Sequence, residues 1–162
     1  MKIGILSDTH GDIPAAANAA AAFRLTGVEA VFHCGDIGSF DVLTELAGLE
    51  VPVHAVLGNV DIYSSDWKFF PTNVGVVLHG RFGDIGLGGK RIALLHSDDR
   101  RTHHQTVSSG DYDLVLTGHS HEVHDFFEGA TRCINPGAAG RGSPGTCAVL
   151  DLESGALRIV TL

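Results

Sequence analysis

The chain of 162 residues is 44% hydrophobic and 19% charged, the balance of a globular protein able to bury roughly 70% of its unfolded surface without staples. Its net charge of -8 argues against long-range capture of nucleic acid or an anionic membrane, and no apolar run has the length of a bilayer span or a signal segment. The three cysteines Cys34, Cys133 and Cys147 cannot all pair and none forms a Cys-x-x-Cys unit, so reduced thiols in a cytoplasmic protein are expected, Cys34 and Cys147 in the core.

Residues 2–6 form a short apolar run that reads as a buried strand and ends in Ser7-Asp8-Thr9-His10. Asp12 as cap, Pro14 in the first turn, the alanine-rich stretch 15–25 and the stop at Gly27 predict a helix. A second strand over 30–34 ends in Gly35-Asp36 and leads to a helix over 39–49, capped by Ser39 or Asp41. The third strand begins at Pro52 and ends in Gly58-Asn59. This alternation implies parallel pairing with right-handed crossovers.

From Val74 to His96 glycines at 80, 83, 86, 88 and 89 interrupt alternating segments, which read as hairpins. A short helix over 102–109 and a buried strand over 113–117 follow. Residues 123–127, 131–134, 146–152 and 156–162 are strand-like, with a glycine-rich loop over 137–145. The sum is an α/β protein in one domain, 1–162, with two mixed β-sheets and helices outside.

Five of these runs end in metal-ligand residues: Asp8 and His10, Asp36, Asn59, His96, and His119 with His121. Loops leaving the carboxyl ends of neighbouring strands converge on one crevice, so these groups can meet at one rim. Seven oxygen and imidazole donors exceed what one ion needs and suit two ions sharing a carboxylate. Asp36, in the tight turn after Gly35, is the natural bridge because a carboxylate offers two oxygens. Asn59 adds a neutral amide oxygen that keeps the site from becoming over-anionic. Mixed imidazole and carboxylate ligation suits two divalent ions, Mn favoured and Fe, Ni, Co or Zn alternatives, over Ca or Mg. Two such ions against two carboxylates and a bridging hydroxide leave the centre net positive, able to attract an anionic phosphate. Ions about 3.5–4 Å apart lower the pKa of shared water and orient it for in-line attack on phosphorus.

At these residues the chain resembles the calcineurin-like metallophosphoesterase superfamily, whose pattern runs Asp-x-His, Gly-Asp, Gly-Asn, His and Gly-His-x-His. Length and motif order are most similar to its small stand-alone phosphodiesterase branch. The branch's Ser-Asp-Thr-His-Gly (Ser7 to Gly11), His-x-Gly-Asp (His33 to Asp36), Gly-Asn-x-Asp (Gly58 to Asp61) and Asn-Pro-Gly (Asn135 to Gly137) occur in order. The resemblance implies a four-layer αββα sandwich, a dinuclear centre and phosphoester hydrolysis. It also implies a partition: Asp8, His10, Asp36 and His121 on one ion, and Asp36, Asn59, His96 and His119 on the other.

Three positions depart from the pattern. Many superfamily members carry a leaving-group His after Gly-Asn, where this chain has Val60. His96 is followed by Ser97 rather than Gly, and Ala138 stands where the branch often has Ser after Asn-Pro-Gly. The expectation is a hydrolase that prefers phosphodiesters, with Asn59 and the metals binding the phosphoryl oxygens. Water or a nearby histidine would then protonate the leaving alcohol.

Outside the ligand set, His33 reads as a proton donor, a support for the Asp36 turn, or a hydrogen-bonded core histidine. Arg141 can grip a substrate phosphate bidentately or stand as a solvated loop residue. Asp61 either orients a ligand or caps the next segment. His54 reads as structural, His79, His103, His104 and His124 as surface residues, 98–101 as a solvated turn, and Trp67, Phe69 and Phe70 as packing. The competing function, by resemblance to the retromer subunit of the same fold, is a protein-binding scaffold with a degraded metal site. The expected partner is a small-molecule phosphodiester, with no stable nucleic-acid or membrane binding. Oligomeric state stays open, a homo-oligomer included.

Overall fold

The computed structural model describes residues 1–70, 75–141 and 144–162. Strand β1 (Lys2–Leu6) is buried at every position after Lys2. It alternates faces: Ile3 and Ile5 enter the layer between two sheets, whereas Leu6 faces the helices. Helix α1 (Ile13–Thr26) starts where the Asp12 carboxylate accepts the Ala15 N–H at 2.9 Å and stops at Gly27, whose φ of 65° is left-handed. Its buried face is Ala15, Ala16, Ala19, Ala20 and Phe23, small residues that let the helix lie close to the sheet. Gly4 completes the fit, because a Cβ there would stand 2.9 Å from the Phe23 ring.

Strand β2 (Ala30–His33), helix α2 (Phe40–Ala47) and strand β3 (Val53–Ala55) follow in the expected order. The long connection after β3 makes two 3₁₀ turns, Asp61–Tyr63 and Ser65–Phe69. Trp67 and Phe70 from it pack on Phe40 with ring centroids 4.9 and 5.3 Å away, while Phe69 stays exposed. Strand β4 (Val76–Leu78) then pairs parallel to β3. This corrects the all-hairpin expectation for this region: the described part of the connection packs on Phe40 of α2, and β4 runs in β3's direction. Val74 lies outside the described residues.

Strands β5 (Phe82–Leu87) and β6 (Lys90–Leu95) do form a hairpin, closed by Gly88 and Gly89. Helix α3 (Arg100–Ser108) begins two residues earlier than expected, because the Asp99 carboxylate caps the N–H groups of Arg101 and Thr102. The solvated turn expected over 98–101 is therefore a cap and a first helical turn. Strands β7 (Leu114–Leu116), β8 (Val123–Glu128), β9 (Thr131–Pro136), β10 (Thr146–Asp151) and β11 (Leu157–Thr161) complete the chain.

One sheet has the order β11-β10-β1-β2-β3-β4 and the other β5-β6-β7-β9-β8. Both are mixed: β1 to β4 are parallel, β10 pairs antiparallel with both β1 and β11, and β6, β7 and β9 are parallel with antiparallel edges. Ile3, Ile5, Phe32, Ile92, Leu94, Leu116 and Ile134 fill the space between the sheets. Helices α1 and α2 cover the outer face of the first sheet, and Val107 of α3 packs on Ala93, Leu95, Val115 and Cys133 of the second. The result is the four-layer αββα sandwich, with the carboxyl ends of the parallel strands of both sheets at one rim. Among the described residues no helix is long and apolar enough to cross a membrane.

Candidate metal centre

Three turns lie against one another at this rim. Asp8 N–H donates to Gly35 O (3.0 Å), His10 N–H to Asp36 O (2.9 Å) and Gly11 N–H to Ile37 O (2.8 Å), so the turn after β1 is laced to the turn after β2. The turn after β3 reaches the same point, with Val60 N–H donating to the Asp36 carboxylate at 3.0 Å. From the other sheet, His96 closes on Cys34 O through Nδ1 (2.8 Å), and the His119 N–H donates to Asp8 Oδ2 (3.1 Å). Arg81 adds a tie across the sheets, donating to Leu57 O at 3.0 Å and forking onto Asp98 at 2.6 and 2.7 Å. No local sequence signal marked Arg81, since its partners lie on two different loops.

Two sets of donor atoms fall within 4.8 Å of one another: Asp8, His10 and His121, and Asp8, Asp36 and His96. Asp8 belongs to both sets, yet only its Oδ1 faces inward, because Oδ2 accepts from His119 N–H. Asp36 divides its oxygens, Oδ2 standing 3.7 Å from His10 Nε2 and Oδ1 3.3 Å from His96 Nε2. That division is the geometry a bridging carboxylate needs. His119 lies outside both sets, its ring centroid 5.2 Å from that of His96. His10 and His121 stand edge to face at 5.5 Å.

The donor set fits divalent ions on the structure's own terms. Asp8 Oδ1, His10 Nε2, Asn59 Oδ1 and His96 Nε2 are all buried without a hydrogen-bond partner. An orphaned buried polar atom costs about 1–3 kcal/mol unless something satisfies it, and four of them converge on one rim. His96 donates its Nδ1 proton to a backbone carbonyl, which leaves the Nε2 lone pair facing the carboxylates, as metal-binding imidazoles do. Burial opposes a charged His96 ring, but the Asp36 carboxylate prevails and raises its pKa. For His10 burial prevails instead, aided by the nearby Arg141 charge, and its pKa falls. Asp36 is lowered despite its burial by the His96 ring close to its Oδ1 and by the bond from the Val60 N–H.

The backbone here is strained. Asp8, His10, Asp36, His119 and His121 have φ of 56°, 49°, 53°, 71° and 60°, and Ser97, beside His96, has 72°. The left-handed region costs a non-glycine residue roughly 1–2 kcal/mol, and such residues concentrate at functional sites. Asp and His tolerate the region better than bulky residues do.

His33 sits differently from a proton donor. Its ring is fully buried, Nδ1 accepts the Gly35 N–H (3.2 Å), and Nε2 donates to Thr9 Oγ1 (2.9 Å), which in turn donates to Ile37 O. Burial first, then the neighbouring His96, pulls its pKa down to about 3. Arg141 is exposed, close enough to His10 for its charge to be felt there. Asn135, which sequence reasoning quoted without a role, donates to Gly118 O (2.7 Å) and Ser120 Oγ (3.1 Å) and so fixes the loop of His119 and His121. His54 and His79 meet at 3.0 Å away from the rim, so His79 is no free surface residue.

A parallel-strand rim with converging carboxylates and imidazoles places the chain among metal-dependent phosphoesterases. It belongs to the calcineurin-like phosphoesterase superfamily, whose domain pattern matches residues 1–155. It is 31% identical to a phosphodiesterase of Methanocaldococcus jannaschii over 100% of this chain and 99% of that one. Its structure is similar to that of an archaeal phosphodiesterase, with a TM-score of 0.91 at 29% identity and full coverage of both chains. Vacuolar protein sorting 29 of Cryptosporidium parvum shares the fold, with a TM-score of 0.67 at 21% identity over 99% of this chain and 96% of that one.

Proposed function

We propose that this protein is a dimetal-dependent phosphodiesterase acting as one domain, 1–162, on a small-molecule phosphodiester. The observation that carries the reading is that Asp8 Oδ1 lies 3.8 Å from His10 Nε2 and 3.9 Å from His96 Nε2, all three atoms buried and unpartnered, with Asn59 Oδ1 likewise buried and unpartnered in the adjoining turn. Asp8, His10, Asp36 and His121 would hold one ion, and Asp36, Asn59, His96 and His119 the other, with manganese the favoured metal. Two bound divalent ions supply an activated water and draw charge from the phosphoryl oxygens.

The chain's own groups do the rest. Asp36 presents one oxygen to each imidazole side. Asn59 gives a neutral amide at the phosphoryl position, and Arg141 adds positive charge beside His10 for the anionic substrate. Val60, 38% exposed, has no proton to give where a leaving-group acid would stand. His33 is held from the cleft by its two hydrogen bonds, so its role is to support the Asp36 turn through Gly35. The leaving alcohol takes its proton from water or from a nearby histidine that holds no metal. Buried thiols with raised pKa values, about 11 for Cys133 and about 12 for Cys147, agree with a reducing cytoplasmic setting.

Assay of the manganese-loaded protein on a nitrophenyl phosphodiester and the matching monoester tests the reading; faster turnover of the diester is expected, and a clear monoester preference overturns it. A protein-binding scaffold is the second reading, favoured by exposed Val123, Phe126 and Phe127 on the edge strand β8. A chain that takes up no divalent metal would support it.

A further inference from the structure

We infer that Asp61 is a positioning residue whose buried carboxylate clasps the turn carrying Asp36 to the turn carrying Asn59, so that both groups are aimed at the metal centre. The inference rests on the reading of that rim as a dimetal site. Asp61 is 2% exposed, although its neighbours Ile62 and Tyr63 in the same 3₁₀ turn are 51% and 87% exposed. Its Oδ2 accepts the N–H groups of Gly58 (2.8 Å) and Ile37 (3.0 Å), and its Oδ1 accepts that of Gly38 (2.9 Å). Bonds also run the other way, from Val60 N–H to Asp36 Oδ1 at 3.0 Å. Each turn thus holds the carboxylate of the other.

Capping does not account for this arrangement. The 3₁₀ turn that contains Asp61 is preceded by Val60, and the three amides bonded to Asp61 lie outside the turn's own first residues. Three N–H donors engage both oxygens of this buried carboxyl group, so neither is orphaned as the atoms at the rim are. The two turns also meet without side chains between them: a Cβ on Gly58 would overlap Asp36 Oδ1, and one on Gly35 would stand 2.9 Å from Gly58 N. With backbone against backbone, the register of the two turns depends on the bonds that span them. Three such bonds do so: Asp61 accepts two of them, from Ile37 and Gly38, and Asp36 accepts the third, from Val60, while Asp61 also anchors Gly58 on its own side.

Groups that orient metal ligands typically change metal affinity about 10- to 100-fold when removed. Asp61→Asn keeps the shape but turns an NH₂ toward an amide donor and removes the charge. Chelator-stripped wild type, Asp61→Asn and the core variant Phe23→Leu are titrated with MnCl2 by calorimetry, and the bound manganese is followed by EPR. The expected result is two exchange-coupled ions in wild type and in Phe23→Leu. In Asp61→Asn the affinity falls 10- to 100-fold, more at the Asn59-containing site, and the coupled signal gives way to isolated manganese. Wild-type affinities and coupling in a less stable Asp61→Asn would mean a structural role and overturn the inference alone. No manganese uptake by the wild type would overturn the dimetal reading and the inference with it. Should Asp61→Asn fail to fold, amide exchange in the wild type decides: slow exchange at Ile37, Gly38 and Gly58 supports the clasp, and rapid exchange there overturns it.

Discussion

A side chain held at positive φ stays there only if its surroundings insist on it, and His121 shows the consequence most simply. Its φ is 60° and its side chain is 38% exposed, so little packing is lost on truncation. In metal-free protein His121→Gly is expected to be more stable than His121→Ala by about 1 kcal/mol, because only glycine adopts this backbone freely. Urea unfolding of the pair measures it, and equal stabilities would refute the strain. The division of Asp36 oxygens between His10 and His96 yields a second residue-scale expectation. Asp36→Asn should lose both manganese ions on dialysis while Asn59→Ala retains one; equal metal content in Asp36→Asn and wild type would remove the bridge. The candidate ligands were legible because each follows an apolar run at a turn. Asp61 was legible as a residue that either orients a ligand or caps the next segment, but the sequence left the two open, since its partners Ile37 and Gly38 lie far away in the chain.

Elements meet here with little slack. Gly4 of β1 faces Phe23 of α1, and a Cβ would come within 2.9 Å of that fully buried ring. Gly4→Ala should therefore destabilise the fold by about 1–3 kcal/mol through overpacking, read as a lower urea midpoint with unchanged slope; a neutral result would mean α1 can retreat. At the far side of the same sheet, His54 of β3 bonds His79 just beyond β4, and the rings stack at 5.2 Å. Burial lowers the pKa of both, and His79 lowers that of His54 further. Both rings are thus neutral in the folded chain at a pH where the unfolded chain, near 6.5, begins to bind protons. Their contribution is complete above about pH 6.5 and is lost as pH falls through the lowered folded values. Metal-free stability should decline from pH 7.5 to 5 less steeply in His79→Gln than in wild type; parallel profiles would exclude the pair. The β4 segment was misread because short apolar strands between glycines look alike whether they pair with the next strand or the previous one. The connection packed on Phe40 decides which.

For the molecule as a whole, a net charge of -8 repels polyanions, while the rim needs positive charge to hold a phosphoester. The two are compatible because the candidate ligand set includes only two carboxylates, Asp8 and Asp36, and the positive charge of Arg141 is felt at His10. The sequence by itself determined two mixed sheets with helices outside, the strand ends and the seven donors they carry, because apolar periodicity and turn residues are local properties; the four-layer αββα order was implied by the family resemblance. Only the tertiary structure decided which atoms face inward, that His33 is locked behind the Asp36 turn, and that Arg81 and Asp61 tie loops together. Hydrogen bonds and burial between distant segments depend on how two sheets stack, and no local pattern encodes that stacking.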